Sequence, residues 1–169
     1  MNNEITEDLV KEKIKRLRWM FFDVDGVLTD GSLIYSEKGE VIKKFNVLDG
    51  HGIKEISILG IGVGLISSRD HEATRHRAKE LGINNLMMNV SCKLEAFENW
   101  SNRHKVNPLE CGHMGDDLPD LSLMSKVGFA ASVTNACDEI KNVSDWISTK
   151  AGGHGAVREV CDLIKKFHG

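Results

Sequence analysis

Met20-Phe21-Phe22-Asp23-Val24-Asp25-Gly26-Val27-Leu28-Thr29-Asp30 decides how the rest of the chain is read. Trp19 to Phe22 is short, aromatic and apolar, the composition of a parallel strand buried on both faces. It ends in two carboxylates one residue apart, followed by glycine. At the carboxyl end of such a strand, Asp23 and Asp25 stand where open α/β sheets hold their ligands. Two carboxylates crowded there repel one another unless a cation or a shared proton offsets the repulsion. A hard divalent ion with oxygen ligands, magnesium foremost, is the economical explanation. A strand followed by a turn with exposed acids is the plainer alternative.

Similar runs recur downstream. Ile61 to Ile66 leads into Ser67-Ser68-Arg69-Asp70, Asn85 to Asn89 reads as a third strand, and Cys111 to Met114 ends in Gly115-Asp116-Asp117. Val127 to Val133 and the shorter Asp145 to Ser148 follow. Helical patterns separate them. Asn46 to Gly52 reads as a polar turn before a helix that carries Ile53, Ile56 and Leu59 and ends at Gly60. Further helices are predicted over His71 to Leu81, Ser91 to His104, Leu118 to Ser125 and Gly155 to Phe167, the last with Val157, Val160, Cys161 and Ile164 at helical spacing. Strands alternating with helices on short connections predict an α/β fold, a Rossmann-like three-layer sandwich with a mainly parallel sheet. Right-handed crossovers then gather Asp23, Asp25, Ser67, Asp116 and Asp117 on one edge.

Two segments stand outside that alternation. Gly31 to Ser36 and Glu40 to Phe45 read as a hairpin turned by Glu37-Lys38-Gly39. Glu4 to Arg18 reads as a charged helix or arm that Ile14 and Leu17 could tack to the body.

A chain of 169 residues fits one domain, taken here as residues 1–169. Net charge is −3 with both signs spread along the chain, and no basic stripe with interleaved aromatics suggests a nucleic-acid partner. The apolar runs fall far short of a membrane span, and the polar stretch Met1 to Arg18 does not read as a signal peptide. Cys92, Cys111, Cys137 and Cys161 lack C-x-x-C spacing and are expected to be reduced thiols of a cytoplasmic protein.

Phe22-Asp23-Val24-Asp25-Gly26-Val27-Leu28-Thr29-Asp30-Gly31 resembles the first motif of the haloacid dehalogenase superfamily of phosphotransferases. Its details are close to the branch of small phosphatases for 3-deoxy-D-manno-octulosonate 8-phosphate. Gly115-Asp116-Asp117-Leu118-Pro119-Asp120 resembles the fourth motif of that superfamily, and Ala151-Gly152-Gly153-His154-Gly155-Ala156-Val157-Arg158 the C-terminal signature of that branch. The resemblance implies a capless fold in which the hairpin is a flap, and a homotetramer in which a neighbouring subunit helps close each site. By the first motif, Asp23 is the nucleophile and Asp25 the acid and base. By the second, Ser67 binds the phosphoryl group, although a capping serine fits there equally well. Ser68 stands where many relatives have glycine. Lys93, at the place of the third motif, would neutralise nucleophile and phosphoryl, with a solvated surface lysine as the alternative. By the fourth, Asp116 binds magnesium with Asp23 and the backbone carbonyl of Asp25, Asp117 orients Lys93 or a water, and Asp120 supports the loop.

The resemblance implies a magnesium-dependent phosphatase of a phosphorylated sugar acid, 3-deoxy-D-manno-octulosonate 8-phosphate, in lipopolysaccharide precursor synthesis. Arg69 favours that substrate, since the octulosonate branch carries a basic residue there and nine-carbon relatives an acidic one. A nine-carbon sugar-acid phosphatase is the rival enzyme. A receiver-like phospho-acceptor module is the rival of another kind, but it would place its acceptor after the third strand, where this chain has Met88-Asn89. Asn135 either lies near the site or forms a turn, and His154 replaces an arginine common in relatives.

Overall fold

β1 (Trp19–Phe22) is the strand around which the sheet is built. In the computed structural model, which describes residues 7–39 and 41–168, it is preceded by α1 (Glu7–Lys15). Residues 4–6 of the expected N-terminal helix lie outside the described residues, as does Glu40 of the expected hairpin. After β1 come the hairpin strands β2 (Ile34–Tyr35) and β3 (Val41–Ile42), then α2 (Val47–Ile58), β4 (Gly62–Ile66), α3 (Glu72–Leu81), β5 (Asn85–Met87) and α4 (Lys93–His104). The rest of the chain is β6 (Cys111–Gly115), α5 (Leu118–Met124), β7 (Phe129–Ser132), α6 (Asp138–Val143), β8 (Trp146–Ile147) and α7 (Ala156–His168).

Six strands pair in the order β5-β4-β1-β6-β7-β8, and every pairing is parallel. The chain leaves β1 toward β4 and leaves β6 toward β7, so neighbouring connections diverge between β1 and β6. That divergence opens the crevice in which α/β sheets bind ligands. Phe22 pairs with Met114, which sets the residues that follow each strand, Asp23 and Asp116, on either side of it.

Side chains of β1 feed two cores, as expected for a strand covered on both faces. Met20 and Phe22 join the larger cluster with Ile14 of α1, Ile53 and Ile56 of α2, Ala78 of α3 and Val160 and Ile164 of α7. Phe21 points the other way, against Phe97 and Trp100 of α4 and Leu123 of α5. Its ring meets those of Phe97 and Trp100 edge-on, at centroid distances of 5.6 and 4.8 Å. Full burial of such side chains contributes about 1.5–3 kcal/mol each, so β1 is anchored from both sides.

Two expectations are corrected. Asn46 to Gly52 is not a turn: Asn46 caps α2 by accepting from the Leu48 amide at 2.8 Å, and the helix starts at Val47. A Cβ on Gly52 would lie 3.0 Å from the Cys161 side chain of α7, and one on Gly50 2.1 Å from the Arg77 guanidinium of α3, so the glycines serve packing rather than a turn. The short helix α6, between β7 and β8, was not anticipated. The hairpin is where the pattern placed it, but each strand is two residues long, with Ile34, Tyr35 and Ile42 exposed.

Candidate active site

The turn after β1 is shaped by what it approaches. Asp25 is extended (φ −80°, ψ 113°) and Gly26 left-handed (φ 98°), so the chain doubles back over the strand end. A Cβ on Gly26 would lie 2.0 Å from Oδ2 of Asp116, which only glycine permits. Thr29 Oγ1 closes the turn by accepting from the amides of Gly26 and Gly31 at 3.4 and 3.2 Å. The glycine-rich segment before α7 packs directly beneath: the Gly153 amide donates to the Val27 carbonyl at 3.0 Å. A Cβ on Gly152 would meet the Gly26 carbonyl oxygen at 1.8 Å. Asn135 holds that segment by accepting from the Gly152 amide at 3.1 Å, which makes it a support behind the site. The exposed His154 folds its Nδ1 onto the Gly152 carbonyl at 2.9 Å.

Lys93, the first residue of α4, is buried between two acids. Its Nζ lies 2.8 Å from Oδ1 of Asp23 and 2.7 Å from Oδ1 of Asp120. Burial opposes its charged form, but the two carboxylates outweigh burial and raise its pKa. Asp120, in the first turn of α5, also faces His113 of β6, whose Nε2 is 2.6 Å from the same Oδ1. Burial alone would raise the Asp120 carboxyl, yet the hydrogen bonds and charges of His113 and Lys93 hold it below the ordinary range.

Asp116 has the opposite surroundings. Burial, with Asp23 and Asp120 nearby, pushes its carboxyl up to about 8, and burial likewise raises Asp23. Carboxylate oxygens of Asp23, Asp116 and Asp120 lie within 4.8 Å of one another. Among the described residues no cationic side chain pairs with Asp116. Both oxygens of Asp120 are engaged, Oδ1 by Lys93 and His113 and Oδ2 by the Asp116 amide at 3.4 Å. Asp23 meets Lys93 through Oδ1 alone, which leaves Asp23 and Asp116 as the carboxylates better suited to a cation. Oδ2 of Asp25 is buried without a hydrogen-bond partner beside them. This donor set of hard oxygens with surplus negative charge fits a divalent ion such as magnesium.

These groups line a cavity of about 360 Å³ that also takes in Ser67, Ser68 and Arg69 from the end of β4. The Ser67 hydroxyl accepts from the Arg69 amide at 3.2 Å, and Arg69 itself is exposed, with no ion-pair partner among the described residues. A larger cavity of about 800 Å³ opens below Leu17 and Trp19, at the other edge of the sheet, away from every one of these carboxylates. Chemistry, not size, distinguishes the smaller one.

A profile of haloacid dehalogenase-like hydrolases matches residues 86–160. The 3-deoxy-D-manno-octulosonate 8-phosphate phosphatase KdsC of Escherichia coli is 39% identical over 155 residues, 92% of this chain and 82% of that protein. The chain belongs to this phosphatase family of haloacid dehalogenase-like hydrolases. Among solved structures, the 3-deoxy-D-manno-octulosonate 8-phosphate phosphatase of Moraxella catarrhalis, in complex with magnesium, phosphate and KDO, superposes with TM-score 0.91 at 41% identity, covering 93% of this chain and 90% of that one. The cobalt-bound phosphatase of Haemophilus influenzae gives 0.89 at 36% identity, covering 93% and 92%.

This family member departs from the sequence expectations at four side chains. Asp117 does not reach Lys93; its Oδ1 accepts from the Leu118 amide at 2.8 Å as the cap of α5, while its residue lines the cavity. Asp120 takes the Lys93 contact because the first turn of α5 points that carboxylate back at the strand end. Lys43, next to β3, pairs with Oδ1 of Asp25 and was not anticipated. His113 was also missed. Its one sequence signal is a lone histidine in a strand whose other residues are apolar or glycine, which alone reads as core.

Proposed function

We propose that this chain is a magnesium-dependent phosphatase that converts 3-deoxy-D-manno-octulosonate 8-phosphate to 3-deoxy-D-manno-octulosonate and phosphate. One observation carries the reading: a buried aspartate held by a lysine at 2.8 Å, beside a second carboxylate with no protein cation, at the sheet's ligand crevice. Asp23 attacks phosphorus to form an aspartyl-phosphate, and Lys93 offsets the charge gathered on nucleophile and phosphoryl oxygens. Asp25 protonates the departing sugar oxygen, then takes a proton from the water that hydrolyses the aspartyl-phosphate. Ser67 and the turn at Ser68 and Arg69 bind phosphoryl oxygens and the sugar acid. Magnesium, held by Asp23, Asp116 and the backbone carbonyl of Asp25, supplies further charge neutralisation. Asp117 orients a water from the cavity rim.

The same reading places the chain in lipopolysaccharide precursor synthesis in the cytoplasm, as one domain over residues 1–169 with residues 31–45 as a flap. Exposed Ile34, Tyr35 and Ile42 support a homotetramer in which hairpins pair across subunits. No helix among the described residues is long and apolar enough to cross a membrane. The exposed guanidinium of Arg69, without an ion-pair partner among the described residues, suits a substrate carboxylate, which it can bind bidentately.

The test is phosphate release from the eight-carbon and nine-carbon sugar-acid phosphates side by side, with magnesium and with chelator. The expected result is preference for the eight-carbon ester, lost with chelator. In Arg69→Ala, KM should rise roughly 10-fold or more for the sugar acid, the scale of a lost charge-assisted bond, and far less for an aryl phosphate. Preference for the nine-carbon ester would overturn the substrate and keep the chemistry.

A further inference from the structure

The hairpin carries a contact that the mechanism above does not use. Lys43, the residue after β3, buries its side chain to 2% exposure and pairs with Oδ1 of Asp25, 18 residues back in the chain. The other oxygen of that carboxylate, Oδ2, is buried with no hydrogen-bond partner. Asp25 lines the phosphoryl cavity, while Lys43 lines a second cavity of about 270 Å³ that shares Ser68 and Arg69 with the first. Lys43 therefore sits where the two cavities meet, on an element that does not belong to the sheet.

Two-residue strands do not hold a hairpin in place by themselves. A further polar tie from the described residues of this hairpin to the β1 turn is Lys44 to Asp30 at 3.7 Å, with Lys44 largely exposed. The Lys43–Asp25 pair is different in kind, because its ammonium is shielded from water while Asp25 keeps part of its surface, and removing the carboxylate strands the lysine charge. The docked position of the hairpin and the orientation of the Asp25 carboxyl are thus one structural fact.

We propose that Lys43 is the positioning residue for Asp25. By holding Oδ1 it fixes the orientation of the carboxyl, so proton exchange with the leaving oxygen and the attacking water runs through a group held in one orientation. The hairpin then serves the chemistry directly, and its undocking frees the acid and base to rotate out of line. This inference rests on the role proposed above for Asp25, and it adds a residue from a segment that the active-site motifs do not include.

A double-mutant cycle between Lys43→Met and Asp25→Asn tests it, with p-nitrophenyl phosphate beside the sugar-acid ester and amide hydrogen exchange over residues 33–43 as the second readout. Lys43→Met should lower kcat roughly 10- to 100-fold, a large part of what acid–base catalysis contributes, with KM changed less than about 3-fold. Lys43→Arg should restore part of the loss. In the Asp25→Asn background the same substitution should cost less than about 2-fold, the signature of residues acting as a unit. Exchange over the hairpin should rise in each single variant and no further in the double. Equal, additive losses in both backgrounds, or exchange that rises only with Lys43→Met, would overturn the proposal. A rise in KM confined to the carboxylate-bearing ester would also overturn it, making Lys43 a substrate contact. Wild-type turnover of the aryl phosphate without the sugar-acid ester would refute the substrate reading alone, since the cycle can be completed on the aryl ester.

Discussion

The strand-end pocket and the hairpin are held together by different physics. In the pocket, Lys93 is enclosed by Asp23 and Asp120, His113 fixes Asp120 from behind, and Gly26 lets the β1 turn press against Asp116. Each group there has its neighbours specified by at least two elements of the sheet. Among its described residues the hairpin has two residue pairs, exposed isoleucines and an ion pair to the body through the shielded Lys43 ammonium. The contrast teaches where contacts are concentrated: around Asp23, the proposed nucleophile, and not in the hairpin, the proposed flap.

The sharpest way to break that contrast is to loosen the pocket from within. Asp120→Ala removes one of two carboxylates on a buried ammonium and leaves His113 facing a void. It should lower kcat roughly 10²- to 10³-fold, as loss of a preorganised charge contact does. It should also cost about 3 kcal/mol of stability by urea denaturation. Wild-type kinetics in that variant would mean that Lys93 is positioned by Asp23 alone.

The pocket's charge surplus supplies a second test. Without a divalent ion the Asp116 carboxyl titrates near 8 rather than at its ordinary 3.8, so the folded state holds a proton that the unfolded state releases. The stability from that group is fully present below about pH 4 and lost as pH rises to about 8. The chelated protein should therefore melt at falling temperature over that window. Magnesium should stabilise it more at pH 8 than at pH 6, releasing protons on binding. A pH-independent magnesium effect in the calorimeter would contradict this account of Asp116.

The smallest effect is expected where the structure is loosest. Ile34→Ser with Ile42→Ser should change the stability of the isolated chain by no more than about 0.5 kcal/mol per site, as exposed substitutions do. Sedimentation should nevertheless show weaker self-association. An unchanged assembly would remove the hairpin from the subunit interface.

How legible all this was depends on the range of the interaction. Strand ends and the residues that follow them were readable because apolar runs stop abruptly at Phe22, Ile66 and Met114, and parallel topology then brings Asp23, Ser67 and Asp116 to one edge. Contacts fixed by side-chain direction were not. Whether Asp117 or Asp120 faces Lys93 depends on which carboxylate the first turn of α5 turns inward, and two acids three positions apart give no sign of it. Asp49-Gly50-His51-Gly52 read as a turn because glycines usually mark one, but here Gly50 makes room for Arg77 of α3 and Gly52 lets α2 lie close to α7. The Lys43 pairing spans a hairpin whose docking depends on tertiary contacts, and Lys44 beside it looked the same on paper.

The central claim is that Asp23 is phosphorylated in the course of turnover. Rapid quenching of enzyme, magnesium and the eight-carbon ester, followed by peptide mass analysis, tests it most directly. The account predicts one added phosphoryl group on the peptide containing Asp23, absent in Asp23→Asn. Turnover with no phosphoryl on Asp23, or the group on another residue, would contradict it.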